Sequence, residues 1–193
     1  MEEAVAGVGE PGVAGDIVYR LARPEDSEPI ERLDGSFTTD SVFEVTATGE
    51  GFRIRETPVD PPIDKVFPDE EDSGDEEDDP GLTRTVVAFD GKELCGFVET
   101  AFSPWNGRLT ISDIEVAPEW RGKGVGRTLM RHALDFAREC GAGHVWLEVS
   151  NINAPAIRAY LRMGFVFCGL DTSLYEGTRS AGEQALFMSR QVR

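Results

Sequence analysis

The chain has 193 residues, 40% of them hydrophobic, and a formal net charge of −17 at pH 7. That length suffices for one domain with a sizeable core, and the charge argues against nucleic acid as a partner, because binding there depends on Lys and Arg neutralising phosphates. No apolar run approaches the ~20 residues that cross a bilayer, and Glu2 and Glu3 stand where a signal peptide would carry positive charge, so the reading is soluble and cytoplasmic.

Residues 1–16 are rich in Gly, Ala and Glu without a period and read as a flexible tail ahead of one domain, residues 17–193. Ile17 to Leu21 alternates like a strand, and Pro24 to Leu33 reads as a helix with acids in its first turn and Ile30 and Leu33 facing inward. Ser36 to Glu44 mixes aromatic, hydroxyl and acidic side chains, a composition suited to a loop or short helix lining a cleft. Phe52 to Glu56 alternates again, and Pro58, Pro61 and Pro62 should break that strand of a small accessory hairpin. Asp69 to Asp79 holds nine acids in eleven residues, so the remainder of the chain carries −8. Like-charge repulsion makes this stretch, about residues 69–80, a mobile solvated loop; its sharper reading is a lure for a polycationic substrate.

Thr85 to Phe89, an Asp90-Gly91 turn and Leu94 to Phe102 predict two antiparallel strands, and Leu109 to Val116 predicts a third. A glycine loop and a helix follow. Leu129, Met130, Ala133, Leu134 and Ala137 share one helix face, away from Arg127, Arg131 and Arg138, and Gly141 marks the stop. Val145 to Val149 is nearly all apolar, as in a strand buried on both faces, with Glu148 the exception. Asn153 caps a second helix that ends before Gly164. Two closing strands, Phe165 to Leu170 and Gln184 to Met188, flank a polar loop holding Tyr175. Cys95, Cys140 and Cys168 form no paired pattern and read as buried free thiols, and no ligand cluster for a metal is visible.

The chemistry centres on Arg121-Gly122-Lys123-Gly124-Val125-Gly126-Arg127. The spacing fits neither the dinucleotide fingerprint nor the Walker loop. The glycines let the backbone turn its N–H groups around an anion at a helix N-terminus, which describes a diphosphate cradle. Together with the Glu148 strand and the block Asn153, Ala156, Tyr160, Gly164, Phe165, this loop resembles the GNAT superfamily of acetyl-CoA dependent N-acetyltransferases, over roughly Thr83 to Phe165. The resemblance implies an α/β (α+β) fold with a mixed, mostly antiparallel sheet, split between the strands that flank the cofactor, and helices on both faces. From Ile17 onward the chain is most similar to the streptothricin acetyltransferases of actinomycetes. These inactivate the antibiotic by acetylating the β-amino group of its β-lysine moiety, which implies a small cationic amine as substrate. The same core would also serve a protein N-terminal or polyamine acetyltransferase, and a non-catalytic CoA-binding sensor is the reading from another class. The oligomeric state stays open, with a homodimer the usual arrangement for such enzymes.

Within that resemblance, the backbone at residues 121–126 would hold the pyrophosphate, with Arg121, Lys123 and Arg127 adding charge. The edge at Ile114, Glu115 and Val116 would pair with the pantetheine amides, and Asn153 would contact the cofactor. A lysine-like amine has a reference pKa near ~10.4, so a base must take its proton. Glu148 is the first choice, since an unpaired carboxylate in an apolar strand is costly without a task; Glu115 is the second. Tyr160 occupies the general-acid position. Phe37, Asp40, Glu44, Trp105, Asp113, Glu148 and Tyr175 are the candidates for acceptor contacts.

Overall fold

A computed structural model describes residues 17–66 and 82–192. The N-terminal tail and the acidic run Asp69 to Asp79 of the sequence reading lie outside the described residues.

The chain opens with β1 (Val18–Leu21), a 3₁₀ turn (Pro24–Asp26) and a short α1 (Ser27–Glu31). The helix expected over Pro24 to Leu33 is therefore shortened. Asp26 explains its irregular start: its buried carboxylate accepts from Arg20 at 2.6 and 2.9 Å and from the Arg23 N–H at 2.7 Å, which folds the entry into a tight turn. Pro29, inside α1, has no N–H to extend the ladder.

A two-stranded ribbon follows, β2 (Phe37–Thr48) with β3 (Gly51–Lys65). This corrects two expectations. Residues 37–44 are strand rather than loop or short helix, because β3 pairs with them and Asn151 adds a second partner at Phe43, whose N–H donates to Asn151 O at 2.8 Å and whose O accepts from Asn151 Nδ2 at 3.2 Å. The prolines do not end β3 either. Pro58 pairs with Ser41, the register then jumps to Ile63 opposite Thr39, and residues 59–62 are left out of the ladder. Pro61 and Pro62, which cannot donate, fall in that omitted segment.

The main sheet has seven strands in the order β1, β4 (Thr83–Asp90), β5 (Glu93–Ser103), β6 (Arg108–Val116), β7 (His144–Ser150), β9 (Ala185–Gln191) and β8 (Val166–Asp171). Every pairing is antiparallel except β6 with β7. That parallel pair is joined only from Arg108 opposite His144 to Ile111 opposite Leu147. Beyond it the strands part, β6 continuing with β5 and β7 with β9. Ser112 is the extra residue of a bulge at the parting, since Asp113 opposes Glu99 while Ile111 opposes Thr100.

Between β6 and β7 runs α2 (Val125–Glu139), and between β7 and β8 runs α3 (Ala154–Arg162). Leu129, Met130, Ala133, Leu134 and Ala137 of α2 are buried as expected, with Val125 and Phe136 added. They pack with Val86, Val98, Leu109, Ile111, Leu147 and Ile157. Each buried Val, Leu, Ile, Met or Phe among these stabilises the fold by about 1.5–3 kcal/mol. The other face carries Val87, Leu94 and Phe97 with Ile30 and Leu33 from the α1 region, so helical segments cover both faces. Gly141, at φ 70°, ends α2, with Ala142 N–H bonding back to Ala137 O at 2.8 Å.

Two further expectations are corrected. β7 is not buried on both faces: Val145, Leu147 and Val149 enter the core, whereas Trp146 and Glu148 lie half-covered on the opposite side. Of the free cysteines only Cys95 is buried; Cys168 is exposed on β8, an edge strand of the sheet.

Candidate active site

The parting of β6 and β7 makes a notch whose floor is the last paired rung, Ile111 with Leu147. At its β6 rim, Ala117 N–H donates to Cys95 O at 3.0 Å and ends the strand. A 3₁₀ turn (Pro118–Trp120) then leads into the glycine loop. Gly122 and Gly124 have φ of 74° and 91°, a left-handed geometry that glycine adopts without strain. Gly124 is the N-cap of α2 and no side chain caps that end. A Cβ placed on Gly122 or Gly124 would meet nothing within 4 Å. The uncapped first turn concentrates about half a positive charge in open space, a site suited to a diphosphate.

The side chains around this cradle divide. Val125 is buried beneath it, Arg127 is exposed on α2, and Lys123 Nζ lies 4.5 Å from the centroid of the Trp120 ring. Gly126 packs close to β6, where a Cβ would come within 3.4 Å of Val116 Cγ2. Arg121 is occupied elsewhere. Its guanidinium donates to the carbonyls of Val116 (2.8 Å), Ser36 (2.6 Å) and Asp34 (3.4 Å), bracing the end of β6 against the turn before β2. Glu115 points to that same turn, because a Cβ on Gly35 would fall 2.5 Å from its Oε1. Ile114 and Val116 pack toward the α2 core, leaving the backbone of this stretch as the rim of the notch. Gly96 lets β5 come this close, since a Cβ there would sit 2.5 Å from Glu115 O.

On the β7 rim, Glu148 Oε1 accepts a hydrogen bond from the Tyr175 hydroxyl. Burial pushes the Glu148 carboxyl above its ordinary range; the Tyr175 bond opposes that shift and the charge of Glu183 adds to it. Tyr175 is pushed up as well, by burial and by its bond to Glu148. Tyr160, on the inward face of α3 and 9% exposed, stacks obliquely on Phe165 with centroids 5.9 Å apart. Burial, followed by the charges of Asp113 and Glu148, drives its phenol far up, so it keeps its proton throughout the working pH range. Tyr160, Glu148, Asp113 and Tyr175 therefore belong to one electrostatic unit beside the notch. Asn153 caps α3, its Oδ1 accepting from Ala156 N–H at 3.2 Å.

The remaining acceptor candidates are spread out. Phe37 pairs with Lys65 at the base of the ribbon. Asp40 lies 3.5 Å from Arg158 Nη2, and Glu44 accepts from Thr57 Oγ1 at 3.3 Å on the exposed side of the ribbon. Trp105 is 86% exposed in the β5–β6 turn, at the other end of β6 from the glycine loop and ~30 Å away along the strand. It is not brought to the notch. Among the described residues no group of His, Cys, Asp and Glu is arranged to hold a metal, and no helix is long and apolar enough to cross a membrane. His132 stacks on Tyr19 with ring centroids 5.7 Å apart, consistent with a structural role.

Sequence reasoning missed a polar cluster behind Glu148. Lys65 donates to Glu183 Oε1 and, at 2.8 Å, to Ser180 Oγ, while Ser150 Oγ donates to Glu183 Oε2. Asn151 ties the same region together, accepting from Gln184 N–H at 2.8 Å while its amide holds Phe43. Lys65 and Glu183 are 118 residues apart, and nothing local marks either.

Residues 52–165 match the model of the acetyltransferase (GNAT) family. The streptothricin acetyltransferase of Streptomyces lavendulae is 62% identical over 176 residues, 89% of this chain and 93% of that protein. The crystal structure of a nourseothricin acetyltransferase superposes with a TM-score of 0.85 at 61% identity, covering 92% of this chain and 99% of the other. A Bacillus anthracis structure solved in complex with acetyl coenzyme A shares the fold, with a TM-score of 0.76 at 23% identity over 94% of this chain and all of its own. With its split mixed sheet, glycine loop and family match, the chain belongs to the GNAT family and is an N-acetyltransferase.

Proposed function

We propose that this enzyme uses acetyl-CoA to acetylate a streptothricin-class antibiotic on the β-amino group of its β-lysine moiety, and so inactivates it. The observation that carries the reading is Glu148: a desolvated carboxylate on the β7 rim of the notch, within one electrostatic unit with Tyr160. The high identity to the Streptomyces lavendulae enzyme over 89% of the chain supports this choice of acceptor.

Acetyl-CoA, the donor of GNAT acetyltransferases, supplies an activated thioester. The backbone N–H groups at residues 122–127 and the rim at Ile114, Glu115 and Val116 are the groups that would hold it, and a rim N–H would stabilise charge developing on the carbonyl oxygen. Glu148 takes the proton from the acceptor ammonium. Its raised proton affinity, caused by burial, makes it a stronger base than an ordinary surface carboxylate. Tyr160, protonated at rest, gives its proton to the departing sulfur and regains one from the attacking nitrogen, which must shed a second proton to become the amide. Glu115, against Gly35, is the alternative base, and Asp113 and Tyr175 would contact the acceptor. Residues 17–193 act as one catalytic domain, with the acidic run as an electrostatic lure for a cationic substrate.

The test is thiol release from acetyl-CoA, followed with streptothricin, spermidine and an N-terminal peptide. Turnover confined to streptothricin is expected. Equal turnover with the other amines would favour a polyamine or protein acetyltransferase, and none with any amine would favour a CoA-binding sensor.

A further inference from the structure

Behind the catalytic carboxylate lies an ion pair that the reaction does not itself require. Lys65 is the last residue of β3, and Glu183 closes the loop, residues 172–184, that carries Tyr175. Both side chains are 13% exposed. Each carboxylate oxygen of Glu183 is occupied, one by Lys65 and the other by the Ser150 hydroxyl at the end of β7. Lys65 also holds Ser180 of the same loop. The pair thus joins three pieces of chain: the base of the ribbon, the end of β7 two residues after Glu148, and the loop that lays the Tyr175 hydroxyl on Glu148. Gln184 ties the loop's end to Asn151, donating to its Oδ1 and accepting from its N–H, both at 2.8 Å; the rest of the loop is closed by local turns such as Glu176 N–H to Ser173 O and Thr178 N–H to Tyr175 O.

We propose that Lys65 and Glu183 are positioning residues for the acceptor half of the site: their ion pair latches the 172–184 loop to the ribbon, holds Tyr175 on Glu148, and sets the charge that Glu148 experiences. This rests on Glu148 being the base. The titratable groups that act on Glu148 are Tyr175 and Glu183 from the loop; Tyr160 of α3 feels the Glu148 charge together with that of Asp113 from β6, and Lys65 of β3 is paired with Glu183. Glu183 is the charge among them that pushes the Glu148 carboxyl up, and Lys65 is its counter-ion. Loss of either partner frees Tyr175 from Glu148 and so removes the hydrogen bond that favours the carboxylate. Without Lys65 the Glu183 charge still opposes ionisation of Glu148; without Glu183 that opposition is gone and only the loss of Tyr175 remains.

The experiment compares Lys65→Met, Glu183→Gln and the double variant. In both single variants the acid limb of kcat/KM moves to higher pH, because Glu148 loses the Tyr175 hydrogen bond that favours its charged form, and it moves further in Lys65→Met, which keeps the Glu183 charge without its counter-ion; the double variant follows Glu183→Gln. Both single variants raise the acceptor KM by about tenfold or more, a change of about 1.4 kcal/mol, while acetyl-CoA binding stays unchanged. Loss of packing alone does not rank the two limbs by whether the Glu183 charge is kept. A second measurement needs no substrate: the ring-carbon NMR resonance of Tyr175, assigned with Tyr175→Phe, should shift in both single variants. Limbs that stay put, or a Glu183→Gln limb displaced as far as that of Lys65→Met, overturn the proposal, as does an unchanged Tyr175 resonance. A moved resonance together with pH limbs indifferent to Glu148→Gln would instead preserve the latch and refute Glu148 as the base.

Discussion

Replacing Glu148 with Gln removes the proposed base while keeping the side chain's volume and an oxygen that can still accept from Tyr175. A positioned general base contributes about 10²–10⁴ in rate, or about 3–5 kcal/mol on the barrier. The larger end is expected. Glu115 is held against Gly35, and Asp113 is exposed on β6, so neither duplicates a desolvated carboxylate on the β7 rim. Steady-state thiol release with streptothricin across pH measures this. In the wild type the ionised carboxylate is the active form, and burial raises its proton affinity, so kcat/KM falls below a pH lying above the ordinary carboxylate range. The Gln variant should lose that limb together with its rate. Stability should move the other way. A carboxyl whose folded-state pKa exceeds its unfolded value stabilises the fold fully below the unfolded pKa, and that contribution is lost as pH rises through the folded pKa. Glu148→Gln should therefore melt above wild type near neutral pH, with the gap closing as the pH falls toward that of an ordinary carboxylate. Retention of most of the activity, or an acid limb that survives the substitution, refutes the assignment. A limb abolished instead by Glu115→Gln would transfer the role.

Three more outcomes follow from the same geometry. Tyr160→Phe should lower kcat about 10²-fold or more with acetyl-CoA binding little changed, and because the phenol titrates far above its ordinary value, the wild type should show no basic limb from this group in the working range; unchanged turnover removes it as the acid. Gly124→Ala forces a φ of 91° on a residue with a Cβ, so it should cost about 1–2 kcal/mol in thermal stability and raise the KM for acetyl-CoA, whereas an unaltered KM would dissociate the loop from the donor. Shortening Asp69 to Asp79 should raise the apparent acceptor constant at low salt and leave it unchanged at high salt, where the Debye length falls to about 3 Å; no salt-dependent difference leaves only a linker.

Much of the catalytic half of the chain was legible because its signals are local. Glycines with open left-handed geometry, an Asn cap, a 3.6-residue apolar stripe on α2 and alternating strands each report on their own backbone, and the order of the elements then limits the topology. The substrate half was less legible. Nothing within residues 36–44 chooses strand over loop; the choice comes from pairing with β3 and from Asn151, whose backbone and side chain hold Phe43 from across the fold. Trp105 has the composition of a binding residue but sits at the wrong end of β6, a matter of strand direction rather than residue type. Arg121 lies within the motif, yet its planar donors match three carbonyls better than solvent.

By itself the sequence determined the class of chemistry, an N-acetyltransferase, and offered as its candidate parts a glycine-rich helix N-terminus and a lone carboxylate in an apolar strand. The tertiary structure decided where that chemistry is aimed. Only the parting of β6 from β7 after Ile111 and Leu147 opens the notch, and only the return of a distant loop sets Tyr175 and Glu183 around Glu148. The physical reason is range. Backbone preference and helix dipoles act over a few residues, whereas desolvation and charge at Glu148 come from segments that meet only once the chain has folded.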